Sequence, residues 1–262
     1  MKILKSKDVR TVVILCGGRG TRLGAVTKKT PKSLVMIKDK PIIWYILKIL
    51  KKNKFNHFIL PIGYKGRSIK KYLDNKIFSD YDLKIVPTGI NTPIAKRIFN
   101  IKKYIKSENF LLLNGDAIFD FNLSKIIKNH IKSNLHLSLM TCKVISPFGV
   151  IIIKDNKPIN FKRDMIYDAL NINNSMYKGA IFTGMALINK EIFKSINYKS
   201  FSNFEVSFYP KILKKKKSSY SQINGFWYAM DNPKDINVAN KLEKKNEISK
   251  YISKLKNKFF ND

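Results

Sequence analysis

The feature that most constrains this chain is an apolar run that stops at a group of glycines near the amino terminus. Residues 12–15 are followed by Cys16-Gly17-Gly18-Arg19-Gly20-Thr21-Arg22-Leu23. Such a run predicts a buried strand of a parallel sheet, and the glycines predict a tight loop whose backbone N–H groups can approach phosphate oxygens closely. The segment therefore predicts an α/β protein that binds a phosphorylated ligand.

Basic side chains flank this loop. Arg22 can bind phosphate through two parallel hydrogen bonds, and Lys32 can place a point charge on a phosphoryl group. Residues 18–24 lack the Lys-Ser/Thr pair of a Walker loop, and Leu23 stands where a dinucleotide-binding fingerprint needs its third glycine. The pattern therefore indicates a polyphosphate-binding loop outside both of these classes.

Strand and helix patterns alternate along the first half of the chain, which predicts βαβ units. The predicted strands are 12–15, 58–62, 83–86, 110–113 and 137–144, and the predicted helices are 42–50, 68–73, 94–104 and 123–130. Later segments predict strands at 150–153, 157–161, 180–188 and 219–230, and helices at 190–196, 204–213, 233–245 and 248–260. We predict a Rossmann-like α/β fold with a mixed, mainly parallel sheet flanked by helices.

Lysine dominates the composition. The chain of 262 residues carries a net charge of +33, and only six of its 51 basic residues are arginines. These lysines are spread over nearly every predicted element, whereas nucleic-acid-binding surfaces concentrate Lys, Arg and stacking aromatics. We therefore expect a solvated basic surface without specific nucleic-acid binding. With no membrane-length apolar run and no secretory leader, we expect a cytoplasmic protein without a membrane partner.

A longer pattern continues from the glycine loop. It comprises Leu15-Cys16-Gly17-Gly18-Arg19-Gly20-Thr21-Arg22-Leu23, Thr27, Pro31-Lys32-Ser33-Leu34-Val35 and Lys40-Pro41-Ile42-Ile43-Trp44. This pattern resembles the signature of the sugar-phosphate nucleotidyltransferases, from which only Cys16 and Ser33 depart. The resemblance implies the nucleotide-diphospho-sugar transferase fold as a single domain over residues 1–246. Its nucleotide half would end near residue 146 and its acceptor half near 246, and 247–262 would form a basic helix or tail.

Two carboxylates at strand ends are implied by the resemblance to hold Mg²⁺. They are Asp116, after Asn114-Gly115, and Asp231, after Gly225-Phe226-Trp227-Tyr228-Ala229-Met230. Carboxylates suit this ion, which binds oxygen ligands and shares its shell with substrate phosphates. Taken alone, Asp116 is explained equally well as a turn residue. Asp231 can also cap the helix predicted after it.

The resemblance also implies a nucleotide site and two catalytic residues. The implied nucleotide-binding residues are Leu15, Gly17, Gly18, Gly20, Thr21, Thr88, Gly89, Arg97, Asn114 and Gly115. In the implied reaction, a phosphate monoester attacks the α-phosphorus of a nucleoside triphosphate and releases pyrophosphate. Arg22 would hold the pyrophosphate, and Lys32 would neutralise the α-phosphate.

Two segments resemble cytidylyltransferases that act on glucose 1-phosphate. They are the spacing from Thr88-Gly89 to Arg97 and the run from Gly225 to Asp231, whereas Ile94-Ala95-Lys96 replaces the usual Thr-Gly-Gly. CTP is therefore the favoured partner, with UTP or dTTP as the alternative donors. A homo-oligomer is compatible with the sequence.

The acceptor side departs further from the family pattern. The run Asn160-Phe161-Lys162-Arg163-Asp164 stands where the family has Phe-x-Glu-Lys-Pro. The implied acceptor-binding residues are Gly149, Lys162, Arg163, Thr183, Gly184 and Glu205, and several of them are explained equally well by packing. A noncatalytic sugar-nucleotide-binding protein and a basic nucleic-acid module are the competing interpretations. The intact Arg22, Lys32, Asp116 and Asp231 favour an enzyme, whose acceptor would be a sugar 1-phosphate or a similar phosphate monoester.

Overall fold

A seven-stranded sheet lies at the centre of the computed structural model, which describes residues 9–145, 149–163, 165–167, 169–194, 204–223 and 225–254. The strands are β1 Val9–Leu15, β2 Met36–Ile37, β3 Lys40–Pro41, β4 His57–Ile62, β5 Asp82–Pro87, β6 Asn109–Asn114, β7 Ala117–Phe119, β8 Leu137–Cys142, β9 Val144–Ile145, β10 Val150–Lys154, β11 Lys157–Lys162, β12 Ile166–Tyr167, β13 Ala169–Ile172, β14 Ser175–Lys178, β15 Ile181–Asn189, β16 Ser218–Gln222 and β17 Trp227–Ala229. The helices are α1 Ala25–Lys29, α2 Ile42–Lys52, α3 Gly66–Leu73, α4 Ile94–Ile101, α5 Leu123–Lys132, α6 Tyr209–Lys215, α7 Pro233–Lys244 and α8 Glu247–Lys254.

The strand order across the central sheet is β16-β8-β15-β6-β1-β4-β5. Six of these strands run parallel to one another, and β15 is antiparallel to its neighbours β6 and β8. This arrangement confirms the predicted mixed, mainly parallel sheet. Because β1 and β6 are neighbours, Leu15 and Asn114 end side by side at the same edge of the sheet.

Helices pack on both faces of the sheet because residues of the central strands are apolar in both directions. Val12 and Ile14 of β1 join a core cluster with α2, α3, α5, α7 and α8. Val13 between them faces the opposite side, where the cluster contains α4 and α6. All three valine and isoleucine side chains are fully buried. No helix in the described ranges is long and apolar enough to cross a membrane.

Several predicted bounds change in the structure. The predicted helix 94–104 is α4 followed by a 3₁₀ turn, and residues 190–194 form a 3₁₀ helix instead of an α-helix. Residues 204–208 form a π-helical turn before α6, and the predicted strand 137–144 is divided between β8 and β9. Over one or two turns, apolar spacing fits these helix types about equally well. Residues 195–196 and 255–260 lie outside the described ranges.

The predicted last strand, 219–230, is wrong as a single element. β16 pairs with β8 at the edge of the central sheet, whereas β17 pairs with β7 in a separate two-stranded ribbon. Between them the chain passes so close to Asp120 that a Cβ on Gly225 would lie 2.5 Å from the Asp120 carbonyl oxygen. A continuous β-type pattern does not reveal such a change of partner strand.

Candidate active site

The carboxyl ends of β1 and β6 open into a cleft with a volume of about 710 Å³. Segment 90–94, which ends at the first residue of α4, forms part of its lining. The cleft brings together most of the predicted nucleotide-binding, catalytic and metal residues. Those that line it are Leu15, Gly17, Gly18, Gly20, Thr21, Arg22, Lys32, Arg97, Asn114, Gly115 and Asp116.

The glycine loop turns sharply where β1 ends. Gly20 has a φ of 63°, in the left-handed region that favours glycine. A Cβ on Gly17 would lie 2.3 Å from Arg97 Nη1, so a larger residue there would force the buried guanidinium to shift. The Thr27 hydroxyl donates to the Gly20 carbonyl at 3.0 Å and fixes the far side of the loop. Gly18 is exposed, which leaves its backbone accessible to a ligand.

The ribbon of β7 and β17 brings the two predicted metal ligands together. Ala117 pairs with Ala229 in this antiparallel ribbon, and the Met230 N–H donates to the Asp116 carbonyl at 3.0 Å. Asp116 precedes one strand and Asp231 follows the other. The two carboxylates therefore leave the ribbon at the same end.

Lys32 lies between these carboxylates. Its Nζ is 2.6 Å from Asp116 Oδ2 and 2.8 Å from Asp231 Oδ1, and its side chain is only 13% exposed. Solvent screens a sheltered ion pair less than a surface one. Arg22 extends the cluster, with Nη1 3.0 Å from Asp231 Oδ2, but 76% of its side chain is exposed.

The carboxylate oxygens of this cluster are suitable ligands for Mg²⁺. Asp116 and Asp231 offer two hard carboxylate ligands that both reach one nitrogen atom of Lys32. Among the described residues, no group of three or more His, Cys, Asp or Glu side chains could hold a metal. Mg²⁺ commonly uses one or two carboxylates and completes its shell with water and substrate phosphates. Such a site suits an ion that is bound jointly by the protein and a nucleotide.

Arg97 lines the cleft but is buried against the glycine loop, where it binds protein acceptors. Its guanidinium donates to Thr88 Oγ1 at 2.6 Å, to the Gly17 carbonyl at 3.1 Å and to the Ile90 carbonyl at 3.0 Å. Burial lowers the pKa of Arg97 from its ordinary value. Thr88 is also buried, and its hydroxyl donates to the Ile62 carbonyl. A direct contact of Thr88 or Arg97 with nucleotide stays a prediction.

The predicted acceptor residues fall into three places. Glu205, in the π-helical turn, lines the cleft. Gly184 lies beside β6, where a Cβ added to this glycine would be 2.5 Å from the Asn114 amide nitrogen. Thr183 is buried next to it, and its carbonyl accepts a hydrogen bond from Trp227 Nε1 at 3.0 Å. These three residues are thus in the cleft or next to residues that line it.

The hairpin of β10 and β11 carries the remaining predicted acceptor residues. Lys162 and Arg163 are exposed there, and Gly149 packs against the ring of Phe161. Within the described part of the chain, none of the three lines the cleft. Their predicted contact with the acceptor stays a prediction.

Eight residues of the lining were not predicted as site residues, namely Cys16, Arg19, Ser33 and residues 90–94. Arg19 Nη2 donates to Asn91 Oδ1 at 3.1 Å and so joins the glycine loop to segment 90–94. The position of Arg19 inside the glycine motif is a usable signal, whereas Asn91 has none. Burial raises the pKa of the Cys16 thiol to about 12, so this residue is a neutral thiol. Gly89, a predicted nucleotide-binding residue that does not line the cleft, has a φ of 95° and begins the turn into segment 90–94.

Known proteins resemble this chain over most of its length. The profile of the nucleotidyl transferase family matches residues 11–246. The chain is 31% identical to the probable glucose-1-phosphate cytidylyltransferase of Bacillus subtilis (strain 168), over 88% of this chain and 94% of that protein. It is 30% identical to the D-glycero-alpha-D-manno-heptose 1-phosphate guanylyltransferase of Aneurinibacillus thermoaerophilus, over 92% of this chain and 99% of that protein.

A solved structure supports the same fold. HddC from Yersinia pseudotuberculosis, complexed with GMP-PN, superposes with a TM-score of 0.68 at 23% identity, over 88% of this chain and 98% of that chain. This similarity confirms the nucleotide-diphospho-sugar transferase fold. With a family profile that spans residues 11–246 and relatives at 30% identity or more, the chain belongs to the nucleotidyl transferase family.

Proposed function

We propose that this nucleotidyltransferase transfers a nucleoside monophosphate from a nucleoside triphosphate to a sugar 1-phosphate and releases pyrophosphate. The observation that carries the proposal is the cluster of Lys32, Asp116 and Asp231 beside the glycine loop. Such a cluster supplies positive charge and a carboxylate pair for a cation where a polyphosphate would lie. Both named relatives are described as sugar-1-phosphate nucleotidyltransferases, which supports the acceptor class.

The proposed reaction needs no covalent intermediate on the protein. An oxygen of the sugar phosphate forms a bond to the α-phosphorus while the bond from that phosphorus to the bridging oxygen breaks. The electron pair stays on the bridging oxygen, which leaves as part of pyrophosphate. The neutral Cys16 thiol has no role in this step. Catalysis then depends on positioning and on neutralising the phosphate charges.

The charged side chains of the cleft have separate tasks in this proposal. Arg22 is mostly exposed and can turn from Asp231 to the departing pyrophosphate. Lys32 neutralises the α-phosphate. Asp116 and Asp231 would hold Mg²⁺, which orients the reacting phosphates and offsets their charge when bound. Glu205 lines the same cleft and is the proposed hydrogen-bond acceptor for the sugar hydroxyls.

We propose CTP as the preferred donor. The spacing from Thr88-Gly89 to Arg97 and the run from Gly225 to Asp231 resemble cytidylyltransferases, and the Bacillus subtilis relative bears that name. GTP is the second candidate, because the Aneurinibacillus thermoaerophilus relative is a guanylyltransferase by name. Segment 90–94 lines the cleft next to the glycine loop and is the proposed contact for the base.

The test is pyrophosphate release from CTP, GTP, UTP, dTTP and ATP, each with glucose 1-phosphate and with D-glycero-alpha-D-manno-heptose 1-phosphate. With glucose 1-phosphate, pyrophosphate release from CTP should be about tenfold or more faster than release from UTP. Uracil would leave polar groups of a cytosine pocket unpaired. Faster turnover of GTP with the heptose phosphate would replace the cytidylyl assignment and keep nucleotidyl transfer. Release from none of the pairs would contradict the proposed function.

The metal assignment is tested on the same assay. Activity should require Mg²⁺, and Asp116→Asn or Asp231→Asn should each lower kcat by about a hundredfold or more while thermal unfolding changes little. Asn keeps the shape of Asp but removes the anionic ligand. Asp74→Asn is the matched control, because Asp74 is an exposed carboxylate paired with Lys70 at 2.6 Å. Full activity of either site variant at limiting Mg²⁺ would contradict the assignment.

A further inference from the structure

Basic side chains of the protein already neutralise Asp116 and Asp231. Lys32 Nζ contacts Asp116 Oδ2 at 2.6 Å and Asp231 Oδ1 at 2.8 Å, and Arg22 contacts the second oxygen of Asp231 at 3.0 Å. The ammonium group therefore stands where both carboxylates can be reached at once. A divalent ion that joins the two carboxylates needs the same position.

The ammonium group and a divalent ion cannot share this position. Mg²⁺ binds carboxylate oxygens at about 2.1 Å, closer than the ammonium does. Two cations at such short separation repel each other strongly where solvent is partly excluded, and the Lys32 side chain is only 13% exposed. Metal binding therefore requires the ammonium group to move away.

The Lys32 ammonium group can move toward the glycine loop. The aliphatic stem of Lys32 lies against the loop, and a Cβ on Gly20 would be 3.1 Å from Lys32 Cβ. A lysine ammonium on a flexible stem can turn about that contact without moving the backbone. A phosphate group bound at the loop would give the ammonium a new anionic partner.

We infer that Lys32 is a resident cation that keeps Asp116 and Asp231 closed to divalent metal until a nucleotide phosphate draws its ammonium group away. Metal then binds together with the nucleotide and not before it. This inference rests on the proposed function through the assignment of the two carboxylates as metal ligands. It adds a task for Lys32 in the nucleotide-free protein, separate from its contact with the α-phosphate.

The test is Mn²⁺ binding to the nucleotide-free protein, followed by the electron paramagnetic resonance signal of the free ion. Lys32→Met keeps an unbranched side chain but removes its charge. Lys70→Met is the matched control, because Lys70 is also paired with a carboxylate at 2.6 Å but lies on the exposed surface of α3. Lys32→Met should bind one Mn²⁺ at least about tenfold more tightly than the wild type, whereas Lys70→Met should not differ from it.

Two further variants serve as controls for the Mn²⁺ binding measured with Lys32→Met. Lys32→Gln repeats the loss of charge with a polar side chain, and circular dichroism shows which variants are folded. Adding Asp231→Asn to Lys32→Met should abolish the gain in Mn²⁺ affinity. Tight Mn²⁺ binding by the wild type without nucleotide would overturn the inference, as would unchanged or weaker binding by the folded Lys32 variants.

The two proposals fail in different ways. Pyrophosphate release by the wild type is measured separately, so absent turnover contradicts the proposed function and leaves the Mn²⁺ result standing. Turnover without a gain of Mn²⁺ affinity in Lys32→Met contradicts the inference alone. A gain that survives Asp231→Asn would mean that the metal binds elsewhere, which overturns both the inference and the metal assignment.

Discussion

Arg97 shows at the scale of one residue how a predicted nucleotide-binding side chain can also hold the cleft together. Its guanidinium binds the carbonyl of Gly17 in the glycine loop and the carbonyl of Ile90 in the neighbouring segment. Its Nη1 also donates to Thr88 Oγ1 at 2.6 Å. Since one planar group reaches all three acceptors, Arg97 ties two walls of the cleft together.

We expect Arg97→Lys to lower the free energy of unfolding by about 3 kcal/mol, because a single ammonium cannot replace three hydrogen bonds from a buried guanidinium. The KM for the nucleoside triphosphate should rise as well, since the two walls are no longer joined. Urea unfolding and steady-state kinetics measure the two effects.

Arg67→Lys is the matched control, because Arg67 is exposed on α3, and it should retain wild-type stability and KM. If Arg97 instead contacts the nucleotide directly and has no structural task, Arg97→Lys should raise the KM with unchanged stability. That result would support the predicted nucleotide contact and contradict the structural role.

At the scale of elements, α5, β6 and β8 meet at a buried histidine. His130 Nδ1 lies 2.7 Å from Ser138 Oγ, and Nε2 lies 3.2 Å from Asn109 Oδ1. These uncharged partners suit the neutral imidazole. Burial, aided by the charge of His136, lowers the pKa of His130 from its ordinary value of 6.5 to about 4.

This histidine predicts a loss of stability in acid. Between about pH 6.5 and pH 4 the unfolded chain binds a proton at His130 that the folded chain does not bind. The free energy of unfolding should therefore fall as the pH falls through this range, by at most about 3 kcal/mol from this group. Urea unfolding at several pH values measures the slope.

His130→Gln should be less stable than the wild type at pH 7 and should lose less stability on acidification. Carboxylates such as Asp82, whose pKa is lowered by hydrogen bonds from Lys106 and His57, add a slope of their own at still lower pH. That slope is common to both proteins, so their difference isolates His130. Equal slopes between pH 6.5 and 4 would contradict the assignment.

At the scale of the whole molecule, the net charge of +33 creates a positive field around the protein. Such a field attracts any polyanion, including the nucleotide. It does not by itself select a base sequence, because phosphate contacts position a protein on nucleic acid without reading it.

We expect weak binding to DNA or RNA that does not depend on sequence. The affinity should fall by about a hundredfold or more between about 50 and 200 mM salt, because binding releases condensed counterions. Fluorescence anisotropy with two duplexes of unrelated sequence measures both properties. Tight binding to one of the two duplexes at physiological salt would contradict the interpretation of the lysines as a solvated surface.

The sequence by itself determined the features that depend on neighbouring residues. The apolar run into Gly17-Gly18 predicted both β1 and its loop, and the alternation of patterns predicted a mainly parallel sheet. The longer motif around Lys32 indicated the family that the comparisons confirm. These features are readable because strand periodicity and the steric freedom of glycine act over a few residues.

Only the tertiary structure decided how distant segments meet. The register of β7 with β17 sets Asp116 beside Asp231, and Lys32 reaches both because its own segment returns to the same edge of the sheet. For the same reason, the sequence did not predict the break after β16 or the burial of Arg97. Strand pairing and burial depend on residues far apart in the chain. Local sequence patterns do not specify which of these residues will be in contact.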